Sequence, residues 1–168
     1  EAASKKVLAR FTKAVSASGC KTLVVAEPSA YDFLRGKLPG VKVVTSAEHL
    51  LKKGVSKGRS SKAVYLESDF LKNYCCNLAA PRELLKQAGY KLMPFGTNAE
   101  ESYAVGEGAV VYDDLNPALC EKLCDRVYSL AGDLEKKLFI TASTTVRDTL
   151  KKYNPAFDVI TLEEAVAL

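Results

Sequence analysis

The chain has 168 residues, 48% of them hydrophobic and 26% charged, enough for a sizeable core in one domain or two small lobes. No apolar run approaches the roughly 18–20 residues that a membrane helix requires, so no transmembrane segment is expected. A net charge of +4, with acids and bases interleaved, is too weak and too dispersed to point to nucleic acid.

Helices and strands alternate along the chain. "SKKVLARFTKAVSASG" (4–19) sets Val7, Leu8, Phe11, Ala14 and Val15 on one helical face and stops at Gly19. "KTLVVA" (21–26) is a short continuous apolar run, as in a strand covered on both faces. Pro28 opens a short helix over 29–39, "VKVVT" (41–45) is a second strand, and Ser46 caps a helix over 46–53. "KKGVSKGRSSK" (52–62) is the one basic cluster, and its Gly and Ser content reads as a solvated loop. A strand over 63–68, a helix over 78–89 and a strand over 90–95 follow. Residues 96–117, with three glycines, read as loop. A helix over 117–132, a strand over 137–142, a helix over 144–155, a strand over 157–161 and a helix over 162–168 complete the chain. Such alternation predicts an α/β fold with small parallel or mixed sheets flanked by helices.

The chain also repeats itself. Residues 21–51 align without a gap on 137–167 at a constant shift of 116, with identities including Ala26/Ala142, Asp32/Asp148, Leu34/Leu150, Pro39/Pro155, Thr45/Thr161 and Glu48/Glu164. An amphipathic helix precedes each copy. Two pseudo-symmetric lobes are therefore expected, 1–58 a partial first repeat and 59–168 a complete second one, packed as one unit. The second has a strand, helix, strand and glycine loop (63–116) for which the first has no counterpart. That missing segment would lie before residue 1, and a lobe without it should expose a sheet edge that a partner covers. The first residue is Glu, as in a chain trimmed from a longer one.

Five cysteines are present: Cys20, Cys75, Cys76, Cys120 and Cys124. The number is odd and no CxxC occurs, which argues against a disulfide scaffold and for a reducing compartment. Cys120 and Cys124 share a helical face and are expected in the core, as is Cys20. Cys75 and Cys76 are expected as reduced thiols at the start of a helix, at least one packed inward, because a vicinal disulfide strains its peptide. His49 is the single histidine, so nucleophilic pairing could be built only around it, and it is expected as a surface or satisfied residue. "VGEGA" (105–109) lacks the third glycine of a dinucleotide fingerprint.

Several motifs in order resemble the cysteine-rich CCG domain. That family occurs in a subunit of heterodisulfide reductase, in iron–sulfur subunits of glycolate and lactate oxidation, and in an unusual succinate dehydrogenase subunit. The motifs are "VYLESDFLKN" (64–73), "APRELLKQAG" (80–89), "NAEESYAVGEGAVVYDDLNPAL" (98–119), "ITASTTVRDTLKK" (140–152) and, in the first repeat, "VVAEPSAYDFLRG" (24–36). The resemblance implies cluster-ligand positions at Asp69, Ala104, Val105, Ser143 and Val146, and at Glu27 and Ala30 in the first repeat. None of them is a cysteine. Iron–sulfur clusters need about four thiolates, and three scattered oxygens do not replace them.

The expectation is thus a cluster-less member of the family with no catalytic residue, cofactor or metal. It would serve as an accessory subunit of a redox or respiratory complex, its partners other protein subunits. A reducing compartment is expected, cytoplasm or organelle matrix; a succinate-dehydrogenase-type assembly, with the chain peripheral to a membrane complex and on the mitochondrial matrix side if it matures from a precursor, would suit it. The alternative is an enzyme or ligand-binding domain with a repurposed site around Glu27, Asp69 and Ser143, near strand carboxyl ends.

Overall fold

The structure is a computed structural model, which describes residues 2–56, 61–75, 77–96, 105–109 and 114–167. Helix α1 (Ala2–Ser18) leads into strand β1 (Thr22–Val25), helix α2 (Pro28–Leu34), strand β2 (Lys42–Thr45) and helix α3 (Ser46–Lys53). The second half runs β3 (Lys62–Leu66), α4 (Ala79–Gln87), β4 (Lys91–Met93), α5 (Pro117–Ala131), β5 (Leu138–Thr141), α6 (Thr144–Tyr153), β6 (Val159–Thr161) and α7 (Leu162–Ala167).

All strand pairs are parallel. They form a two-stranded sheet, β1-β2, and a four-stranded sheet in the order β4-β3-β5-β6. The expected mixed α/β architecture is the one observed. Alternate side chains of the larger sheet enter two apolar layers, as a strand covered on both faces requires. Ala63, Tyr65 and Ile140 pack with α4 and α7 on one face, together with Ala47 of α3. Val64, Leu66 and Phe139 pack with Cys124, Val127 and Ala131 of α5 and with Val146 and Leu150 of α6 on the other. Each fully buried Leu, Ile or Phe here contributes about 1.5–3 kcal/mol of transfer free energy.

The internal repeat is structural. Leu23 lies opposite Val43 and, 116 residues on, Phe139 lies opposite Val159, so the β1-β2 and β5-β6 registers are the same. Both second strands pass directly into a helix through the same capping box. In the first, the Thr45 N–H donates to Glu48 Oε2 at 2.9 Å and the Glu48 N–H to Thr45 Oγ1 at 3.2 Å. In the second, the Thr161 N–H donates to Glu164 Oε2 at 2.6 Å and the Glu164 N–H to Thr161 Oγ1 at 3.3 Å.

Several boundaries differ from the sequence expectation, each for a local reason. Helix α2 stops at Leu34 because Gly36 turns the chain with φ +72°, which lets Leu38 fold back into the core. Strand β4 stops before Pro94, which has no N–H for the ladder. Strand β3 stops at Leu66, and Glu67 and Ser68 turn inward instead of continuing it. The sequence pattern assigns no element to 69–77, where the chain winds into a wide π-helical turn, Phe70–Tyr74. Cys75 closes that turn as a half-buried thiol, 3.8 Å from Asp32 Oδ1, and α4 begins only at Ala79. Its place at a turn's end, not a helix start, corrects the expectation; Cys76 lies outside the described residues. Cys120 and Cys124 are buried, as expected, whereas Cys20 is only half-buried. In "DDLNP", Asn116 caps α5 by accepting the Leu119 N–H at 3.2 Å, with Pro117 at its first turn.

Candidate functional site

The larger sheet changes winding direction between β3 and β5. From β3 the chain moves outward to β4, and from β5 it moves outward to β6 on the other side. The crevice beyond the carboxyl ends of these two central strands is the usual ligand site of an open parallel sheet. Glu67, Ser68 and Asp69 leave β3 there, Ala142 and Ser143 leave β5 there, and all five are buried.

The chain fills this crevice itself. The segment Val105–Gly108 enters it, with Val105 in the apolar layer beneath α5 and Glu107 buried among the polar groups. Glu107 Oε2 accepts the Ser68 hydroxyl and the Asp69 N–H, both at 2.9 Å. Asp69 Oδ2 accepts the Gly108 N–H at 3.1 Å, and Asp69 Oδ1 lies 3.4 Å from Lys72 Nζ. Gly106 adopts φ +94°, a conformation that side-chain-bearing residues rarely take. Gly108 serves for a different reason: a Cβ built on it would stand 2.5 Å from Asp69 Cβ.

Glu27 arrives from the end of β1 and caps α6 of the other repeat. Its Oε1 accepts the Ser143 hydroxyl at 3.0 Å and the Thr145 hydroxyl at 3.4 Å. Its Oε2 accepts the Thr144 N–H at 3.0 Å and the Thr144 hydroxyl. Ser143 is in turn the N-cap of α6, accepting the Val146 N–H at 3.2 Å. The Ser46 hydroxyl donates to Glu163 and the Asn77 amide to Glu48 Oε1 at 3.2 Å, further side-chain bonds between the repeats.

A third acid stands behind this cluster. Glu67 Oε1 accepts Arg82 Nε and lies 2.7 Å from a second Arg82 nitrogen, while the Arg82 guanidinium sits 5.4 Å from the Tyr65 ring centre. Glu67 and Arg82 come from the motifs "VYLES" and "APRELL", which their ion pair ties together. Glu67 Oε2, Glu107 Oε1 and the Tyr65 hydroxyl are buried and have no hydrogen-bond partner among the described residues.

Burial dominates the electrostatics. It raises the Glu107 carboxyl above its ordinary range; the Ser143 and Ser68 hydroxyls oppose the rise, and the nearby Glu27 and Asp69 add to it. Burial likewise raises Glu67 against the opposing charge of Arg82. The Tyr65 hydroxyl is pushed well up by burial, then by Glu67.

The structure thus brings Glu27, Asp69, Val105 and Ser143 to one crevice. They stand there as hydrogen-bonded groups: Glu27 and Ser143 bond directly, and Asp69 and Ser143 are buried. Val146 lies in the apolar layer, Ala30 is half-buried in α2, and Ala104 lies outside the described residues. Sequence reasoning missed Glu107, Glu67 and Ser68; an acid between two glycines and a second acid after a strand were the available signals.

An iron–sulfur cluster does not fit this donor set. The described positions offer carboxylate and hydroxyl oxygens already engaged in internal bonds, plus buried valines. Among the described residues no group of three or more His, Cys, Asp and Glu is placed to hold a metal ion. A separate cavity of about 600 Å³ lies against β2 and α3, lined by Tyr31, Lys42, His49, Lys52 and Lys53 among others.

The fold and site define a mixed α/β protein with two parallel sheets and a self-filled switch-point crevice. No protein-family model, no curated protein and no solved structure matches the chain.

Proposed function

We propose that the chain is a non-catalytic scaffold of the CCG-domain type. A polar clasp stands where the resembling family holds its cluster, and the chain serves as an accessory subunit of a redox or respiratory assembly. One observation carries the reading. Glu27 and Ser143, both at implied ligand positions, bond to each other and spend their remaining capacity on capping α6. Glu27 thereby ties the end of β1 in the first repeat to the start of α6 in the second. The subunit role draws on the sequence resemblance. Iron and acid-labile sulfide analysis of anaerobically purified protein tests the scaffold: neither is expected, and stoichiometric amounts of both overturn it.

A second reading, a ligand site repurposed around Glu27, Asp69 and Ser143, draws on the unpartnered buried Glu107 Oε1 beside them. A ligand there would have to displace Val105–Gly108 from the crevice. Weaker retention of co-purifying small molecules by an Asp69→Ala variant would support it, and an unchanged native mass spectrum would remove its basis.

A further inference from the structure

The two repeats differ in what lies beside their first strand. In the second, β5 is flanked on both sides, by β6 and by β3. In the first, among the described residues, β1 pairs with β2 alone. The Lys42 N–H donates to Lys21 O, so the backbone groups of 21, 23 and 25 face β2. Those of Thr22 and Val24 therefore face the open edge, and their counterparts at the shift of 116, Leu138 and Ile140, face β3.

Side chains mark the same difference. Val24 is 41% exposed and its counterpart Ile140 is fully buried. Phe11 of α1 is 37% exposed and its counterpart Val127 of α5 is fully buried. In α5 that face rests on Val64 and Leu66 of β3 as well as on β5. In α1, with no such strand alongside among the described residues, Val15 alone is buried.

Charge separates the two helices as well. From residue 2 to residue 26 the chain has no acid, and Lys6, Arg10, Lys13 and Lys21 are all exposed. Helix α5 instead mixes Glu121 and Asp125 with Lys122 and Arg126. A second copy of this chain is a poor occupant of the edge. A two-fold dimer would pair β1 with itself antiparallel and bring two wholly basic helices together.

We propose that the edge of β1 left open among the described residues, lying in the acid-free stretch 2–26, docks an acidic polypeptide segment that adds a parallel strand. Strand addition to an edge draws affinity from main-chain bonds and selectivity from alternate side chains. The second repeat supplies the register: the incoming residues opposite Leu23, Val24 and Val25 take the places of Val64, Tyr65 and Leu66. The incoming segment is therefore apolar at its centre and acidic at its flanks. The inference rests on the scaffold reading, in which the chain works by docking.

The test uses the ¹⁵N-labelled chain and a synthetic peptide spanning residues 62–69 with Lys62→Glu, spin-labelled at one end or the other. The expected result is saturable shifts at the Thr22 and Val24 amides. The N-terminal label should broaden Lys21 more than Val25, and the C-terminal label the reverse. Binding should weaken with salt and fall about tenfold in an Arg10→Glu/Lys13→Glu variant, which leaves the core untouched. Val24→Pro should abolish it, since it removes an outward N–H and spares the β1-β2 ladder. If Val24→Pro fails to fold, the charge-reversed variant still decides. Silence at β1 with millimolar peptide, an antiparallel broadening pattern, or equal affinity for a lysine-flanked peptide would each overturn the proposal. So would a dimer through β1 that excludes the peptide, which assigns the edge to a second copy. Bound iron and sulfide would sink the scaffold reading and leave the peptide result standing, whereas a silent β1 would sink only the docking site.

Discussion

Glu27 and Ser143 occupy equivalent positions of the two repeats, 116 residues apart, and are hydrogen-bonded to each other at 3.0 Å. Equivalent positions of the two repeats thus meet at the carboxyl ends of β1 and β5, and the Ser46–Glu163 bond adds a further link between the repeats.

The clasp should act as a unit. Replacing Glu27 by Ala removes the acceptor for Ser143, Thr144 and Thr145, and should destabilise the fold by about 1–3 kcal/mol. Ser143→Ala should cost about 1 kcal/mol, as for other N-caps. The double variant should lose less than the sum, with a coupling of at least about 0.5 kcal/mol by urea denaturation. Strict additivity would show that the bond joins nothing.

Arg82→Ala should be the most damaging change on the α4 side. It strands Glu67, whose side chain is fully buried and whose Oε2 already lacks a partner. Removing one member of such a pair costs about 3–5 kcal/mol. Adding Glu67→Gln should recover part of the loss, because the buried charge goes with it. Thermal melts of the two variants distinguish this from simple loss of packing, which Glu67→Gln would not rescue.

Gly108→Ala should destabilise by about 1–3 kcal/mol, since its Cβ would stand 2.5 Å from Asp69 Cβ and the crevice has no slack. Asp69→Gly in the same chain removes the obstructing atom and should make Gly108→Ala nearly neutral. A Gly108→Ala variant as stable as the parent would show that the loop does not enter the crevice.

Glu107 gives the pH dependence. Burial raises its folded value above the ordinary 4.5, so the folded chain holds this proton to higher pH than the unfolded chain does. Its contribution is fully present below the unfolded value and is lost as pH rises through the raised folded value. Glu67 acts in the same direction. Glu164, lowered chiefly by the Thr161 N–H, acts in the opposite one and loses its contribution as pH falls. A Glu107→Gln variant should match the parent below about pH 4 and become progressively more stable than it at higher pH. Denaturation midpoints across that range check the trend, and a gap that closes as pH rises would contradict it.

The repeat was the most legible part of the fold. A gapless shift and a shared Thr-x-x-Glu box express contacts within a few residues, and they return as identical strand registers and identical caps. Glu27, Asp69 and Ser143 could be brought to one end of the sheet by the repeat and the resemblance together. Glu107 could not. Its burial depends on a loop arriving from far along the chain to meet Ser68, and no local period encodes that meeting. The π-helical turn at Phe70–Tyr74 was equally silent, because its wide winding serves the placement of Asp69 and Cys75 and leaves no periodic apolar face.

The two capping boxes carry a mechanical implication. Thr45 ends β2 and Ser46 begins α3; Thr161 ends β6 and Leu162 begins α7. A corner with no residue between strand and helix leaves few dihedrals to bend, and each is held by two bonds between a backbone N–H and a side-chain oxygen. Sheet and helix at these corners should turn together as stiff brackets, so that a displacement of α3 or α7 is passed on to β2 or β6.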